Sequence, residues 1–516
     1  MNKQITEKEY SVVERNGQLK IALNTEIRIG KEAPVRLTDA QLEALDYRKL
    51  YQAYSSKGRK PVTEPRVLFK VLAYASQIHI YSNRQIEEAC RNRIDMLWLL
   101  DGQPVPEQST IARFKKRCAD EIEDLFYQYT KELERQGETD HEVIFIDGTK
   151  IESRAGKYTF CWRGTVEKRL KKVREQVEKE TGLKTLRGLQ KRLEKTEPGE
   201  PVRAGKGHAK SEEQKKREKL ESLSTRWAQY EASLKIMGER RNSYSRTDPD
   251  ATFMRMKEDA MKNGQLKPAY NVQIGVNSEY ITGIEVFSDR TDSRTMEPFL
   301  QQMKKRHGKV YRKVTADAGY ESLDNYLYLE ENGQIGFIKP KDHEVSRTKK
   351  YLREIGRAEN MEYDAGADCY TCAQGRKLHL YRESKDPASR HDVTVSHYRC
   401  EDCRACPRRE ECCKITDREK PKELSVRKLY QEKRALSEAR ILSEEGIYLR
   451  LCRSIQAEGA FGLIKHDFGF RRFLTRGKRN VRTELFLLGF GFNLKKRWKK
   501  QSTNRLKLHL SILSTA

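Results

Sequence analysis

The chain of 516 residues carries 103 Lys and Arg against 76 Asp and Glu, a formal net charge of +27, with 36% hydrophobic and 35% charged residues. That length is more than one ordinary core can use and implies roughly two to four folding units. No segment reaches the ~18 apolar residues of a membrane span, and the positive excess exceeds what solubility requires and points to an extended anionic partner, nucleic acid.

The stretch Met1-Asn-Lys-Gln-Ile-Thr-Glu lacks the apolar run of a signal peptide. A reducing, cytoplasmic setting is therefore expected, in which the 11 cysteines serve as thiols or metal ligands rather than disulfides.

From about residue 38 to 138 the pattern is helical. Thr38 or Asp39 can cap a helix with Leu42, Leu45 and Leu50 on its apolar side, and Pro65 suits the first turn of another with Val67, Leu68, Val71 and Leu72 inward. Ser82 and Ser109 can each cap a further short helix. Short helices with basic faces suit a DNA-binding or dimerisation domain over 1–140, although an ordinary bundle reads the same way.

Residues 143–147 form a first strand. Val166, Leu170, Val173 and Val177, then Leu220, Leu223, Trp227, Tyr230, Leu234 and Met237, keep a coiled-coil spacing. With a Pro- and Gly-containing turn at 196–207 between them, they predict an antiparallel helical hairpin over 162–242, inserted into a globular domain. Strand patterns return at Ala269–Val276 and Tyr280–Phe287, followed by a helix at 295–306, a strand ending at Asp317, a helix from Ser322 and a strand at Ile335–Ile338. Three strands, then helix, strand, helix and strand, is the order of an RNase H-like mixed sheet of the α/β class. It is assigned to 141–345 and 440–500, with a cysteine-rich insertion at 346–425 and a tail at 501–516.

Asp147 and Asp317 each stand at the exit of a short apolar strand, and Glu458 lies in a helical pattern from about Ile447 to Lys465. Ionised carboxylates beside apolar residues are costly unless neutralised, and three together call for a cation. Oxygen ligands favour Mg²⁺ or Mn²⁺, and ions ~3.5–4 Å apart could serve phosphoryl transfer. Gly148 and Gly319 are expected to leave room for a phosphate beside the backbone. Lys465 falls two turns beyond Glu458, where it can meet a phosphate. Arg471, Arg472, Arg476, Lys478 and Arg479 are further phosphate candidates, and Lys495-Lys-Arg-Trp-Lys-Lys500 is the densest basic cluster, equally readable as a solvated tail.

The strings Asp147-Gly-Thr-Lys-Ile-Glu, Ala316-Asp-Ala-Gly-Tyr320 and Glu458-Gly-Ala-Phe-Gly-Leu-Ile-Lys465 resemble the signature blocks of the DDE transposases of bacterial insertion sequences. The similarity is greatest to the branch with a cysteine-rich insertion before the glutamate. Gly58-Arg-Lys-Pro61, Ser109–Phe114, Thr247–Ala251, Tyr270–Gln273 and Arg471–Gly477 are similar as well. The resemblance implies an RNase H-like catalytic domain with Asp147, Asp317 and Glu458 as catalytic Mg²⁺ ligands, cleavage at terminal inverted repeats, and attack of the freed 3′-hydroxyl on target DNA. Where related transposases carry a Tyr and an Arg before the glutamate, this chain has Leu451 and Ser454, and Arg453 is the substitute phosphate contact.

Seven cysteines fall between Cys369 and Cys413: Cys369-x2-Cys372, Cys400-x2-Cys403-x2-Cys406, then Cys412 and Cys413. Paired thiolates at this spacing can wrap one tetrahedral zinc; an iron–sulfur cluster or bare thiols are the alternatives. Cys372, Cys403, Cys406 and Cys412 resemble the family's positions, with Cys369 and Cys400 as substitutes and His391 and His397 as further donors. The zinc is expected to be structural. Cys90, Cys118, Cys161 and Cys452 are isolated and expected in the core. The expectation is a transposase acting on double-stranded DNA, as a homodimer once two ends are held, in a bacterial cytoplasm at the nucleoid. A catalytically silent DNA-binding descendant and a plain RNase H-like nuclease are the competing readings.

Overall fold

The computed structural model describes residues 28–54, 61–195, 212–256, 264–387, 389, 391–415, 417 and 419–509. The expected turn at 196–207 lies outside them, as do residues 1–7, positions 58–60 of the Gly-Arg-Lys-Pro block and 510–516 of the tail.

The first part is helical: α1 (Pro34–Glu43), α2 (Arg48–Gln52), α3 (Pro65–Gln77), α4 (Asn83–Asn92), α5 (Ile94–Leu100), α6 (Gln108–Arg117) and α7 (Ala119–Arg135). Pro65 opens α3 as expected. Thr38 is not a cap: Pro34 starts α1 a turn earlier, and the buried Thr38 hydroxyl instead donates to Gln77 on α3. Ser109 likewise lies inside α6, whose cap position is Glu107, whereas Ser82 does precede α4.

The main sheet contains β1 (Val143–Glu152), β4 (Thr252–Arg255), β5 (Leu266–Asn277), β6 (Tyr280–Phe287), β7 (Lys313–Ala316) and β8 (Ile335–Ile338), in the order β6-β5-β1-β7-β8 with β4 sharing the outer edge of β5. β1 pairs antiparallel with β5 and parallel with β7, and β7 parallel with β8. This is the expected RNase H-like arrangement.

Between β1 and β4 a two-stranded stalk, β2 (Phe160–Trp162) and β3 (Ser243–Ser245), carries the insertion. Its helices are α8 (Arg163–Thr181), α9 (Leu186–Lys195) and α10 (Glu212–Met237). The seam residues Val173, Val177, Leu223 and Trp227 are buried as expected, but the hairpin includes a third helix: Leu186, Leu189 and Leu193 on one face of α9 complete the seam core.

Helix α11 (Met296–His307) precedes β7 and α12 (Leu323–Glu331) lies between β7 and β8; after β8 the chain enters an antiparallel sheet of β9 (Glu362–Asp364), β10 (Cys369–Thr371), β11 (Lys377–Lys385), β12 (Thr394–Cys400) and β13 (Glu423–Val426) with its own small core. It returns through α13 (Lys428–Leu442), α14 (Glu444–Arg453), a π-turn at Ser454–Glu458, α15 (Gly459–Lys465) and α16 (Lys478–Ser502).

The apolar run Leu485–Phe492 lies in the middle of α16 and is buried between α3, α7 and β6. A Cβ at Gly491 would collide with the backbone of Ser76 and Gln77, so glycine is what lets α16 lie against α3. One continuous core therefore joins the amino-terminal helices to the sheet. Among the described residues no helix is long and apolar enough to cross a membrane.

Candidate active site

Phe145 on β1 stands beside Thr315 on the parallel strand β7. Two residues further along each strand come Asp147 and Asp317, and the backbone at Asp317 is still extended (φ −79°, ψ 178°). The two aspartates thus stand at one level on neighbouring strands about 5 Å apart, but only Asp317 is at a strand exit: β1 runs on to Glu152 in its pairing with β5, so Asp147 lies inside the strand rather than at its end as expected. Asp147 is buried, and the Arg453 Nη1 atom lies 3.7 Å from its Oδ1. The other Nη atom of Arg453 pairs with Glu458, whose second oxygen accepts from Ser454 Oγ at 3.1 Å.

The helix carrying Glu458 differs from the uninterrupted one expected. At 3.6 residues per turn, positions five apart point about 140° away from each other. The π-turn at 454–458 bonds i to i+5 and so swings Glu458 back onto the side of Arg453.

Asp317 accepts a hydrogen bond from Gly319 N at 2.8 Å. Beside it lies Asp292, which the sequence reading missed. Its Oδ1 accepts from Asn271 Nδ2 at 2.7 Å and Gln273 Nε2 at 3.0 Å, and the Tyr320 hydroxyl donates to Gln273 Oε1. The signal was slight: Asp292 comes five residues past the end of β6, whereas Asp317 follows β7 directly and Asp147 lies within β1. The phenol of the fully buried Tyr320 is held far above its usual range by burial first, then by the charges of Asp292, Asp147 and Asp317, with Arg453 opposing.

The space expected beside the glycines is taken by this network. A Cβ on Gly148 would strike the Gln273 amide and lie 3.0 Å from Asp292 Oδ1, and one on Gly319 would lie 3.0 Å from Asp317 Oδ1. Among the described residues, no three His, Cys, Asp or Glu side chains are closed around a position that could hold a metal ion. The chemistry of the donors still suits one. Asp147 and Glu458 offer hard oxygens, and their shared cation is a guanidinium whose Nη1 is buried without a hydrogen-bond partner.

The Thr247–Ala251, Tyr270–Gln273 and Arg471–Gly477 blocks around the site are braces. Asp248 accepts from Tyr270 OH at 2.7 Å and Gly477 N at 3.1 Å, and Asp250 accepts from Lys478 N. Phe473 N donates to Glu152 O, which ties the 471–477 segment to the end of β1. On that segment Arg471, Arg472 and Arg476 are exposed; Lys478 is half-buried near Glu285, and Arg479 pairs with Asp120. Lys465, the last residue of α15, is half-buried. The 495–500 cluster is neither a tail nor an open patch: Arg497 and Lys500 pair with the buried Glu138, and Lys496 with Glu279, while Trp498 donates to Glu32 O.

In the second sheet, Cys372, Cys400, Cys403, Cys406, Cys412 and Cys413 line a cavity of about 20 Å³, room for a single small ion or water. Burial, then the neighbouring Cys403 and Cys372, raises the Cys400 thiol. Burial also raises Cys412, with Lys422 opposing and Cys372, Cys403 and Cys413 adding to it. Cys369 instead sits in the β10 ladder opposite His379 and Asp364. His397 bonds Ser384 and Ser425, and His391 faces Glu331, so neither histidine lines the cavity. Cys90, Cys118, Cys161 and Cys452 are buried, as expected.

Two family models match the chain: a "Transposase domain (DUF772)" over residues 23–117 and a "Transposase DDE domain" over residues 371–498. The first spans α1 to α6; the second holds Glu458 and the part of the cysteine sheet from β11 to β13, while Asp147 and Asp317 lie outside both. Comparison with curated proteins and with solved structures gave no match. The two transposase-domain matches, together with the RNase H-like sheet, support an insertion-sequence DDE transposase.

Proposed function

We propose that this transposase binds the terminal inverted repeats of an insertion sequence, hydrolyses a phosphodiester at each end, and joins the freed 3′ ends to target DNA. The reading is supported by the adjacent β1 and β7 positions of Asp147 and Asp317, two residues beyond the Phe145–Thr315 pair, and by Arg453, which reaches both Asp147 and Glu458.

Asp147, Asp317 and Glu458 are the residues that would hold Mg²⁺ or Mn²⁺, and the ion would supply Lewis acidity at the scissile phosphate. Arg453 neutralises Asp147 and Glu458 and, on releasing them, has a DNA phosphate as its next partner, a charge-assisted contact suited to a guanidinium. Asn271, Gln273 and Asp292 fix the Asp317 side of the site. Arg471, Arg472, Arg476, Lys478 and Lys465 supply backbone contacts, which give affinity and register but no sequence choice. Cys372, Cys403 and Cys412, with Cys400 or Cys406, are the proposed structural zinc ligands. Holding two ends together calls for a homodimer on the DNA, in the cytoplasm at the nucleoid.

The test is incubation with Mg²⁺ and DNA carrying both flanks of the reading frame. Wild type is expected to cut and join, and Asp147→Asn to bind ends without cutting. Cutting without joining would make the protein a plain nuclease, binding without either a silent descendant, and cutting by Asp147→Asn would remove the metal assignment.

A further inference from the structure

A cleft of about 920 Å³ opens between the amino-terminal helices and the 470–487 segment. Five cations line it: Arg84 at the start of α4, Lys115 and Lys116 on α6, Arg154 just past β1, and Arg472. Glu484 is the one carboxylate among its described lining residues, and it is committed: its carboxylate accepts from Leu474 N at 2.9 Å and faces Lys115. Lys115 itself donates to Tyr81 O and Asn83 Oδ1 and serves the wall.

The three arginines are aimed chiefly by neutral acceptors. Arg84 Nε donates to Gln108 Oε1 at 3.0 Å, and Arg154 Nη1 to Leu474 O at 2.7 Å. Arg472 donates to the carbonyls of Ser153 and Ala155, with Glu152 at 3.7 Å. Arg84, Lys116, Arg154 and Arg472 are all exposed. Gln108, Ala112 and Lys116, spaced by four on α6, give the cleft one polar helix face.

The cleft also has a fixed distance from the acids. Arg472 bridges to Glu152, five residues along β1 from Asp147. At ~3.3 Å per strand residue that is about 17 Å, or roughly five base-pair steps of ~3.4 Å.

Resting on the transposase reading above, we infer that this cleft seats the phosphate backbone of duplex DNA about half a helical turn inside the end being cut, with Arg84, Lys116, Arg154 and Arg472 as the phosphate contacts. Four exposed cations along one cleft, with Arg84 and Arg154 aimed by neutral acceptors, complement a polyanion.

The experiment compares full-length wild type, Arg84→Ala/Lys116→Ala, Arg154→Gln, and a control that removes two exposed cations of the inserted hairpin, Lys168→Ala/Lys172→Ala. The readout is fluorescence anisotropy with a labelled random-sequence duplex across a salt series, because phosphate contacts are independent of sequence. Each lost contact should flatten the plot of log affinity against log salt by about 0.9, so the double cleft variant should lose about twice as much slope as Arg154→Gln and the control almost none. The inference is overturned if the cleft variants keep the wild-type slope, or if the control loses as much. A wild type that cuts and joins flank DNA while the cleft variants keep their slope would remove the cleft alone. A wild type that binds no duplex would remove the transposase reading with it.

Discussion

Arg453 Nη1 stands 3.7 Å from Asp147 Oδ1, and the same guanidinium grips Glu458. Two carboxylates thus share one positive group, with the Arg453 side chain only 13% exposed. Arg453→Ala would leave buried Asp147 without that counter-charge, at an expected cost of about 1–3 kcal/mol. Thermal unfolding with and without Mg²⁺ checks it: the variant should melt lower than wild type in the absence of the ion and gain more from its addition. If Mg²⁺ moves neither midpoint, the acids do not share a cation.

Asp292 makes a separable contribution. Asn271 and Gln273 both donate to its Oδ1 from buried positions on β5. Asp292→Ala strands both amides and should cost about 2 kcal/mol, whereas Asp292→Asn keeps an acceptor and should lose less. Cleavage is expected to fall in Asp292→Ala at unchanged duplex affinity, read by nicking and anisotropy on the same samples. Equal stability of the two variants would show that the hydrogen bonds are not what matters.

Much of this was readable along the chain. The apolar runs before Asp147 and Asp317 announce strands, though only Asp317 stands at an exit while β1 continues past Asp147 to Glu152; the Val166–Val177 and Leu220–Met237 spacing announces the inserted helices. What was hidden depends on partners far away in sequence. Asp292 is held from β5, some twenty residues upstream. The 495–500 cations look like a patch until Glu138 and Glu279 arrive to neutralise them. The π-turn has no composition of its own. Within it Gln456 accepts from Glu279 N at 2.9 Å, a tertiary bond that local pattern does not encode.

Acid should weaken the fold through His307. Burial lowers its imidazole to about 4, against a partly compensating bond to the Thr282 carbonyl, and His141 nearby adds to the lowering. Burial also lowers His141, whose ring lies 5.7 Å away. An unfolded chain protonates such a group near pH 6.5, so between about 6.5 and 4 the unfolded state binds more protons and stability falls as pH drops. Urea unfolding across that window should show a shallower decline in His307→Gln than in wild type; identical slopes would assign the acid sensitivity elsewhere.

The cysteine cavity sets the last expectation. Cys372, Cys403 and Cys412 share it with Cys400 and Cys406, and Cys403 Sγ accepts from Lys422 N at 3.3 Å, which fixes the sulfur at the cavity wall. If zinc draws four of these sulfurs together, purified protein should carry one zinc per chain by elemental analysis, and a chelator should lower its melting midpoint. Cys403→Ser should lose both the metal and the chelator response. Cys369→Ser, altered in the β10 ladder away from the cavity, should keep both. Because the β9–β13 sheet has only a small core of its own, metal loss should melt it at a lower temperature than the RNase H-like sheet, giving two transitions where zinc-loaded protein gives one. Zinc retained by Cys403→Ser would place the ion on other ligands, and protein that carries none from a zinc-supplemented preparation would leave the cavity a cluster of buried thiols.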